Sequence, residues 1–191
     1  MPSYIRFTGP GNAGSRSNTS EYEANWDDER TPATLGRQGA LSKPDFDYTN
    51  LGLLMPQDDP AEILYVTNQL PHSTKDGDIT VHPHIHYLQD EAEIPVFKID
   101  YRFYNNGTTP PSFTTGLSTA DGDGLVFTYT AGTILQIIPF PAINLTDVNP
   151  SMWYDIKVYR DDDVVTGDVV LKGFDFHRPI DTLGSESEYT K

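Results

Sequence analysis

The segment IPVFKIDYRFY, residues 94–104, alternates large apolar side chains with charged ones. The apolar set is Phe97, Ile99, Tyr101 and Phe103, and the charged set is Lys98, Asp100 and Arg102. Successive side chains of a β-strand point to opposite faces, so this alternation places one set against a core and the other toward solvent. The segment therefore predicts a half-buried β-strand.

Segments on both sides of this strand have the same β character. The candidate strands are EILYVT (62–67), DITVHPHIHYL (78–88), LVFTYTA (125–131), TILQIIPF (133–140), MWYDIKVYR (152–160) and DVVLKGFDF (168–176). Turn-forming residues such as NNG at 105–107 separate them, and no long stretch has helical periodicity. In the last segment the alternation changes phase at Gly173, which predicts a β-bulge. We expect an all-β fold, an antiparallel β-sandwich of jelly-roll or Greek-key type.

The amino-terminal quarter differs from the rest of the chain. Residues 1–45 are rich in Gly, Ser, Thr, Asn and Pro, with isolated large apolar residues among them. Such a segment buries too little apolar surface to order itself. We predict an extended arm over 1–45, a sandwich over 46–178 and a polar tail over 179–191. The predicted anchors on a neighbouring subunit are Tyr4, Phe7, Tyr22 and Trp26. An arm packed on its own domain is the alternative.

The composition excludes several classes of function. The chain has no cysteine, so disulfide scaffolds, thiolate metal sites and cysteine nucleophiles are absent. A net charge of −15, from 28 acidic and 13 basic residues, disfavours direct binding to nucleic acid. The sequence shows neither a signal peptide nor an apolar run of bilayer length, which predicts a soluble chain without membrane contact, made in a reducing cytoplasm.

Three of the five histidines lie at alternate positions of the segment 78–88. These are His82, His84 and His86. On a strand, the opposite face would carry Ile79, Val81 and Ile85. The histidines therefore point away from the core or into an interface. Pro83 among them favours an edge strand or a bulge. A polar strand face, an intrachain metal site and a cluster shared by subunits are the open interpretations.

Each metal interpretation makes use of His84 and His86. With Glu91 they match the His-x-His…Glu spacing of a cupin motif, although Lys98 stands where that motif has glycine. Alternatively, three chains meeting on a three-fold axis would supply six imidazoles, enough for iron or another divalent metal in octahedral coordination. This arrangement resembles the His-x-His sites at the iron-bearing tips of some phage spikes. Without a metal, we expect no cofactor.

The segment VHPHIHYLQDEAEIPVFKIDYRFYNNG, residues 81–107, resembles a class of small virion proteins of tailed bacteriophages. Those proteins carry a HPHIHW-like strand, and Tyr87 stands here in place of the tryptophan. The resemblance implies a structural protein rather than an enzyme, foremost a capsid decoration or cement protein. It would be synthesised in the host cytoplasm and be located in the virion. Its implied partners are the major capsid protein and further copies of itself, as a homotrimer.

Two other functions remain alternatives at the sequence level. One is a tail or fibre component that binds carbohydrate. The aromatic residues that suit a sugar-binding groove as well as a core or sheet face are Tyr101, Tyr104, Trp153, Tyr154 and Tyr159. The other is a cupin-like metal-dependent enzyme. The sequence contains no recognisable nucleophile motif or phosphate-binding glycine loop. A non-enzymatic role is therefore our prediction.

Overall fold

A computed structural model describes residues 25–39, 43–57, 62–89, 94–121, 135–149, 151–161 and 169–180. These residues form twelve strands and two short 3-10 turns. The strands are β1 (Asn25–Pro32), β2 (Arg37–Gln38), β3 (Asp45–Asp47), β4 (Gly52–Met55), β5 (Leu64–Gln69), β6 (Gly77–Leu88), β7 (Phe97–Tyr104), β8 (Thr114–Ser118), β9 (Gln136–Pro139), β10 (Ile143–Val148), β11 (Trp153–Arg160) and β12 (Val169–Ile180). The 3-10 turns span Ala33–Leu35 and Thr119–Asp121. Within these ranges, no helix has the length and hydropathy that a bilayer span requires.

The strands form two antiparallel sheets. The five-stranded sheet has the order β2-β5-β11-β7-β8. The seven-stranded sheet has the order β10-β6-β12-β4-β3, with β9 also paired to β6 and β1 also paired to β12. Neighbouring strands are often distant in sequence, which is typical of Greek-key sandwiches. The prediction of an all-β antiparallel sandwich is confirmed.

The apolar face of each sheet points toward the other sheet. Leu53, Ile85 and Phe174 of the seven-stranded sheet lie in one buried cluster with Ile99 and Val158 of the five-stranded sheet. Aromatic rings make direct contacts between the sheets, and the centroids of Tyr154 and Phe176 lie 5.2 Å apart. Burial of this apolar surface contributes most of the stability of such a fold. The core therefore lies between the two sheets.

The two longest strands, β6 and β12, form the centre of the seven-stranded sheet. The two strands pair with each other along one edge. Along its second edge β6 pairs first with β10 and then with β9, and along its second edge β12 pairs with β4 and then with β1. Of the two alternatives predicted for Pro83, an edge strand or a bulge, the edge strand is therefore wrong. Pro83 lies between the stretch paired with β10 and the stretch paired with β9, where the ladder along that edge is interrupted. A residue without an N–H is tolerated at such an interruption.

Strand β1 belongs to the sandwich of its own chain. It pairs with β12 from Asn25↔Ile180 to Pro32↔Gly173, and Arg37 and Gln38 pair with β5. Residues 25–39 of the predicted arm therefore pack on the domain of their own chain, which is the alternative that the sequence left open. The boundary predicted at residue 45 does not coincide with the edge of the sheet, and β12 continues past the boundary predicted at residue 178. Residues 1–24 and 181–191 lie outside the described part of the chain.

Polar contacts attach β1 to the sandwich, which explains its charged sequence NWDDERTP. Asp27 accepts a hydrogen bond from the buried Arg178 at 3.1 Å. Glu29 accepts one from Asn68 of the opposite sheet at 3.0 Å, and burial raises the pKa of Glu29. Because the inward-facing residues of β1 are polar, the strand has no hydrophobic alternation.

The other segments that were predicted as strands form strands wherever the structure describes them, in whole or in part. The segments 62–67, 78–88, 94–104, 152–160 and 168–176 all contain strands, and a register shift between Leu171 and Gly173 confirms the bulge. Of the segment 133–140, residues 136–139 form β9, while the segment 125–131 lies outside the described residues. The strands that we did not predict are short or polar: β1, β2, β3, β4, β8 and β10.

Candidate functional site

The outer face of the seven-stranded sheet carries most of the polar side chains that sequence analysis singled out. His82, His84 and His86 of β6 lie opposite His177, Asp175 and Gly173 of β12 in the register of the two strands. Directly opposed residues of an antiparallel pair project to the same side. Through the pairings with β12 and β6, this side also carries Trp26, Asp28, Arg30, Ile137 and Pro139. We call this surface the histidine face.

Asp175 lies at the centre of the histidine face. Its Oδ1 is 2.7 Å from Nε2 of His84, and its Oδ2 is 3.2 Å from Nε2 of His86. One ligand-type atom from each of these three residues lies within 4.8 Å of both others. The rings of His84 and His86 are tilted against each other, with centroids 5.2 Å apart. We call these three residues the His–His–Asp cluster.

The cluster is largely withdrawn from solvent. The side chains of Asp175, His84 and His86 are 3%, 10% and 24% exposed. Burial alone would raise the pKa of Asp175, but the imidazoles of His84 and His86 beside its two oxygens outweigh burial and hold that pKa at about 2. Asp175 is therefore a carboxylate at neutral pH, in a place where an unpaired charge would be costly.

A second set of charged side chains borders the cluster. Nε of Arg30 lies 3.7 Å from Oδ2 of Asp175, while an NH2 group of Arg30 donates a 2.6 Å hydrogen bond to Asp28. Nε2 of His177 lies 2.8 Å from Oδ1 of Asp28, and the His177 ring meets the His84 ring edge-on at 4.9 Å. Arg30 and His177 are thus both held on the side of the cluster nearest β1.

A cavity of about 280 Å³ opens beside the cluster. Its wall includes His86 and Asp175 from the cluster, together with Arg30, Leu135 and Phe174. It is lined mainly by apolar atoms, with a few polar groups among them. A mostly apolar concavity with a few polar groups is the usual form of a small-ligand site.

The structure brings together part of the predicted site. His84 and His86 lie in one cluster, whereas His82 is exposed and its ring meets that of Trp26 edge-on, with centroids 5.3 Å apart. Trp26, predicted as an anchor on a neighbour, is 48% exposed on the histidine face. The other predicted anchors, Tyr4, Phe7 and Tyr22, and the cupin-motif carboxylate Glu91 lie outside the described residues.

Sequence analysis missed Asp175, although a signal for it exists. In GFDF, residues 173–176, the two phenylalanines alternate with Asp175, so a strand that buries Phe174 and Phe176 must place Asp175 on the opposite face. The same rule applies to the histidines. The sequence gives no sign that β6 and β12 are neighbours, because 89 positions separate His86 from Asp175.

A second concavity lies on the five-stranded sheet. It has a volume of about 330 Å³, and its lining includes Tyr104, Asn105, Asn106 and Trp153. The indole N–H of Trp153 donates to Asn106 at 2.8 Å, and Oδ1 of Asn105 accepts no hydrogen bond within the described ranges. Of the aromatic residues considered for a sugar-binding groove, Tyr104 and Trp153 line this concavity.

Comparison with known proteins gives structural similarity only. No protein-family model matches the sequence, and no curated protein matches it. Isomalto-dextranase of Arthrobacter globiformis T6, complexed with panose, is 12% identical with a TM-score of 0.43 over 78% of this chain and 23% of that one. The mosquito-larvicidal Cry4Aa toxin of Bacillus thuringiensis is 18% identical with a TM-score of 0.44 over 81% and 24%.

A viral structure is also similar. For infectious bursal disease virus, Gx strain, the identity is 11% and the TM-score 0.33, over 87% of this chain and 33% of that one. This chain spans about a quarter to a third of the length of these three proteins. At such TM-scores the similarities do not bear on function.

Proposed function

We propose that this chain is a non-enzymatic structural protein of a tailed-phage virion, and specifically a capsid decoration protein that binds between capsid subunits and stabilises the shell. The resemblance of residues 81–107 to phage virion proteins supports this assignment. In this proposal the sandwich associates with two further copies, and residues 1–24 bind the major capsid protein.

The observation that carries the proposal is the composition of the histidine face. The surface opposite the core of a free-standing sandwich is usually polar and wet. Here Trp26 and Ile137 are 48% and 40% exposed beside the buried cluster, and the adjacent Leu135 is 55% exposed. Exposed tryptophan and aliphatic side chains on one sheet face are typical of a protein interface. We assign this face to contact between copies of the chain.

The remaining features fit an exterior virion protein. A net charge of −15 suits a surface that meets solvent rather than the packaged nucleic acid. Many weakly bound copies on one particle reinforce each other through multivalency, even when each contact is small. A cupin-like enzyme, by contrast, would hold its metal between the sheets, whereas the histidines of β6 face outward.

The location of the chain in particles tests the proposal. Antibodies raised against the purified chain should label intact particles prepared from lysates of the phage that encodes it, with gold over the capsid in electron micrographs. Chain lacking residues 1–24, added to particles stripped of the wild-type chain, should no longer bind. Absence of the chain from purified particles would refute the virion assignment.

The concavity at Trp153 favours a second candidate, a tail or fibre component that binds carbohydrate. An exposed indole next to asparagine side chains is a common way to bind a sugar ring, through stacking and hydrogen bonds to hydroxyl groups. The same labelling experiment separates the two candidates. Gold confined to the tail or its fibres would support this second function and exclude decoration of the capsid.

A further inference from the structure

We infer that His84, His86 and Asp175 bind one divalent first-row transition-metal ion within a single chain, with one coordination position open toward the adjacent cavity. This inference does not depend on a role in a virion. It concerns residues from two central strands, β6 and β12, whose relative position is set by their backbone pairing.

The ligand chemistry of the cluster suits such an ion. Neutral imidazole nitrogen and carboxylate oxygen are the ligands that zinc, iron, cobalt and nickel accept readily, whereas calcium and magnesium prefer oxygen alone. Two histidines and one carboxylate that leave further positions free are a recurrent set for catalytic zinc and non-haem iron. The negative charge of Asp175 would also offset part of the charge of the ion.

The distances already approach those of a bound state. Two ligands of a tetrahedral zinc ion lie about 3.4 Å apart when each bond is about 2.1 Å. The two nitrogen–oxygen separations in the cluster are 2.7 and 3.2 Å, and the atoms of all three residues lie within 4.8 Å of one another. Small rotations of the two imidazoles would therefore admit an ion among the three groups.

Asp175 supplies an independent observation. The residue is 2% exposed, and its Oδ1 accepts no hydrogen bond of acceptable geometry from the described residues, although Nε2 of His84 lies 2.7 Å away. Buried carboxylate oxygens normally accept hydrogen bonds or bind cations. A metal ion bound to Oδ1 would supply the partner that this oxygen lacks.

The surroundings suit a site with an open position. His86 and Asp175 line the cavity of about 280 Å³, so an ion held by them would face a space large enough for water or a small anion. Arg30 has its Nε 3.7 Å from Oδ2. Its side chain is 71% exposed and bonded to Asp28, so it can hold the second carboxylate oxygen while a metal uses the first.

The proposed site differs from one shared on a three-fold axis. His84 is buried in its own chain, and its Nε2 faces Asp175 rather than a neighbouring molecule. An axial site would take two histidines from each of three chains and hold one ion per three chains. The intrachain site holds one ion per chain.

Metal content and affinity test this inference. Untagged protein, stripped with a chelator and then dialysed against Zn²⁺ or Co²⁺, should retain one ion per chain by elemental analysis. Co²⁺ should give the visible absorption of a four- or five-coordinate nitrogen–oxygen site. His86→Gln and Asp175→Asn should each weaken Zn²⁺ binding at least about 100-fold in competition titrations, more than loss of an outer-shell partner usually does.

His82→Gln is the matched control, because His82 lies in the same row but outside the cluster, and it should bind Zn²⁺ as the wild type does. Circular dichroism will show whether each variant folds. If Asp175→Asn fails to fold, the affinity of His86→Gln for Zn²⁺ tests the inference. His86 is the most exposed member of the cluster, so its substitution disturbs the fold least. Absence of stoichiometric binding by the wild type, one ion per three chains, or equal affinity of His86→Gln and His82→Gln would overturn the inference.

Discussion

Asp175 does more than any single histidine to set the orientation of the side chains on the histidine face. It is the most deeply buried member of the cluster, and both imidazoles approach its carboxylate. A carboxylate in that position fixes the orientation of His84 and His86, because each ring must turn a nitrogen toward it. The histidine row is therefore not a uniform polar strip. Two of its members belong to the cluster, and the third, His82, contacts Trp26.

At the same scale, Gly52 allows the chain to approach the start of β12 closely. A Cβ atom at this position would lie 2.5 Å from Cγ1 of Val170 and 2.7 Å from the backbone oxygen of Leu171. These residues directly precede the bulge that leads to Asp175. Gly52→Ala should therefore lower the free energy of unfolding by about 2–3 kcal/mol, as overpacking of a rigid core does.

Gly107 provides the comparison for this prediction. It has a φ of 80° and open space around its missing Cβ, so Gly107→Ala costs only backbone strain, about 1 kcal/mol. Urea denaturation of both variants measures the difference. Equal destabilisation would show that the contact of Gly52 with β12 is not tight in solution.

At the scale of elements, the pairing of β6 with β12 creates the candidate site. Each strand spans 12 residues and pairs on both edges, so neither can slide without breaking several ladders. A shift of one residue would move every histidine to the core face, where unpaired imidazoles are costly. Register is thus strongly specified by the apolar residues on the inner face.

The pairing of β1 with β12 predicts where the chain can be shortened. Removal of residues 1–24 leaves every described strand intact and should change the melting temperature little. Removal of residues 1–39 deletes β1 and β2, exposes an edge of β12 and takes Asp27 away from the buried Arg178. Asp27 is 56% exposed, so the cost comes chiefly from the lost ladder between β1 and β12, at about 1 kcal/mol per backbone hydrogen bond.

The longer deletion should therefore lower the melting temperature by about 10 °C or more, or prevent folding. Differential scanning calorimetry on both truncated chains provides the measurement. If the two truncated chains melted at the same temperature, β1 would contribute nothing to the stability of the sandwich, and the predicted arm boundary near residue 45 would be supported.

At the scale of the whole molecule, the two sheets have different outer faces. The seven-stranded sheet presents the histidine face with Trp26, and the five-stranded sheet presents Trp153 above the second concavity. Acidic residues outnumber basic ones across the chain, so self-association must overcome repulsion between like charges. An interface built on the less charged, apolar part of the histidine face would reduce that repulsion.

As part of the proposed function, we predict a trimer whose contacts include Trp26. Light scattering should give a native mass three times the chain mass of 21.3 kDa. Trp26→Ser should reduce that mass, because a large exposed anchor is lost. Trp153→Ser removes a tryptophan of similar exposure from the other sheet and should leave the mass unchanged. A monomeric wild type, or equal effects of the two substitutions, would contradict the assignment of this face.

The amino-acid sequence alone was enough to predict the fold class, the strands with hydrophobic alternation, the bulge at Gly173 and the outward direction of the histidines. All of these follow from alternation within one segment, which is a local property of the chain. The folded structure was needed to show that β1 belongs to the sheet, that β6 is central, and that Asp175 contacts His84 and His86. The physical reason is that pairing between strands is made by backbone hydrogen bonds that any sequence can form, so the choice of neighbour depends on how the whole core packs.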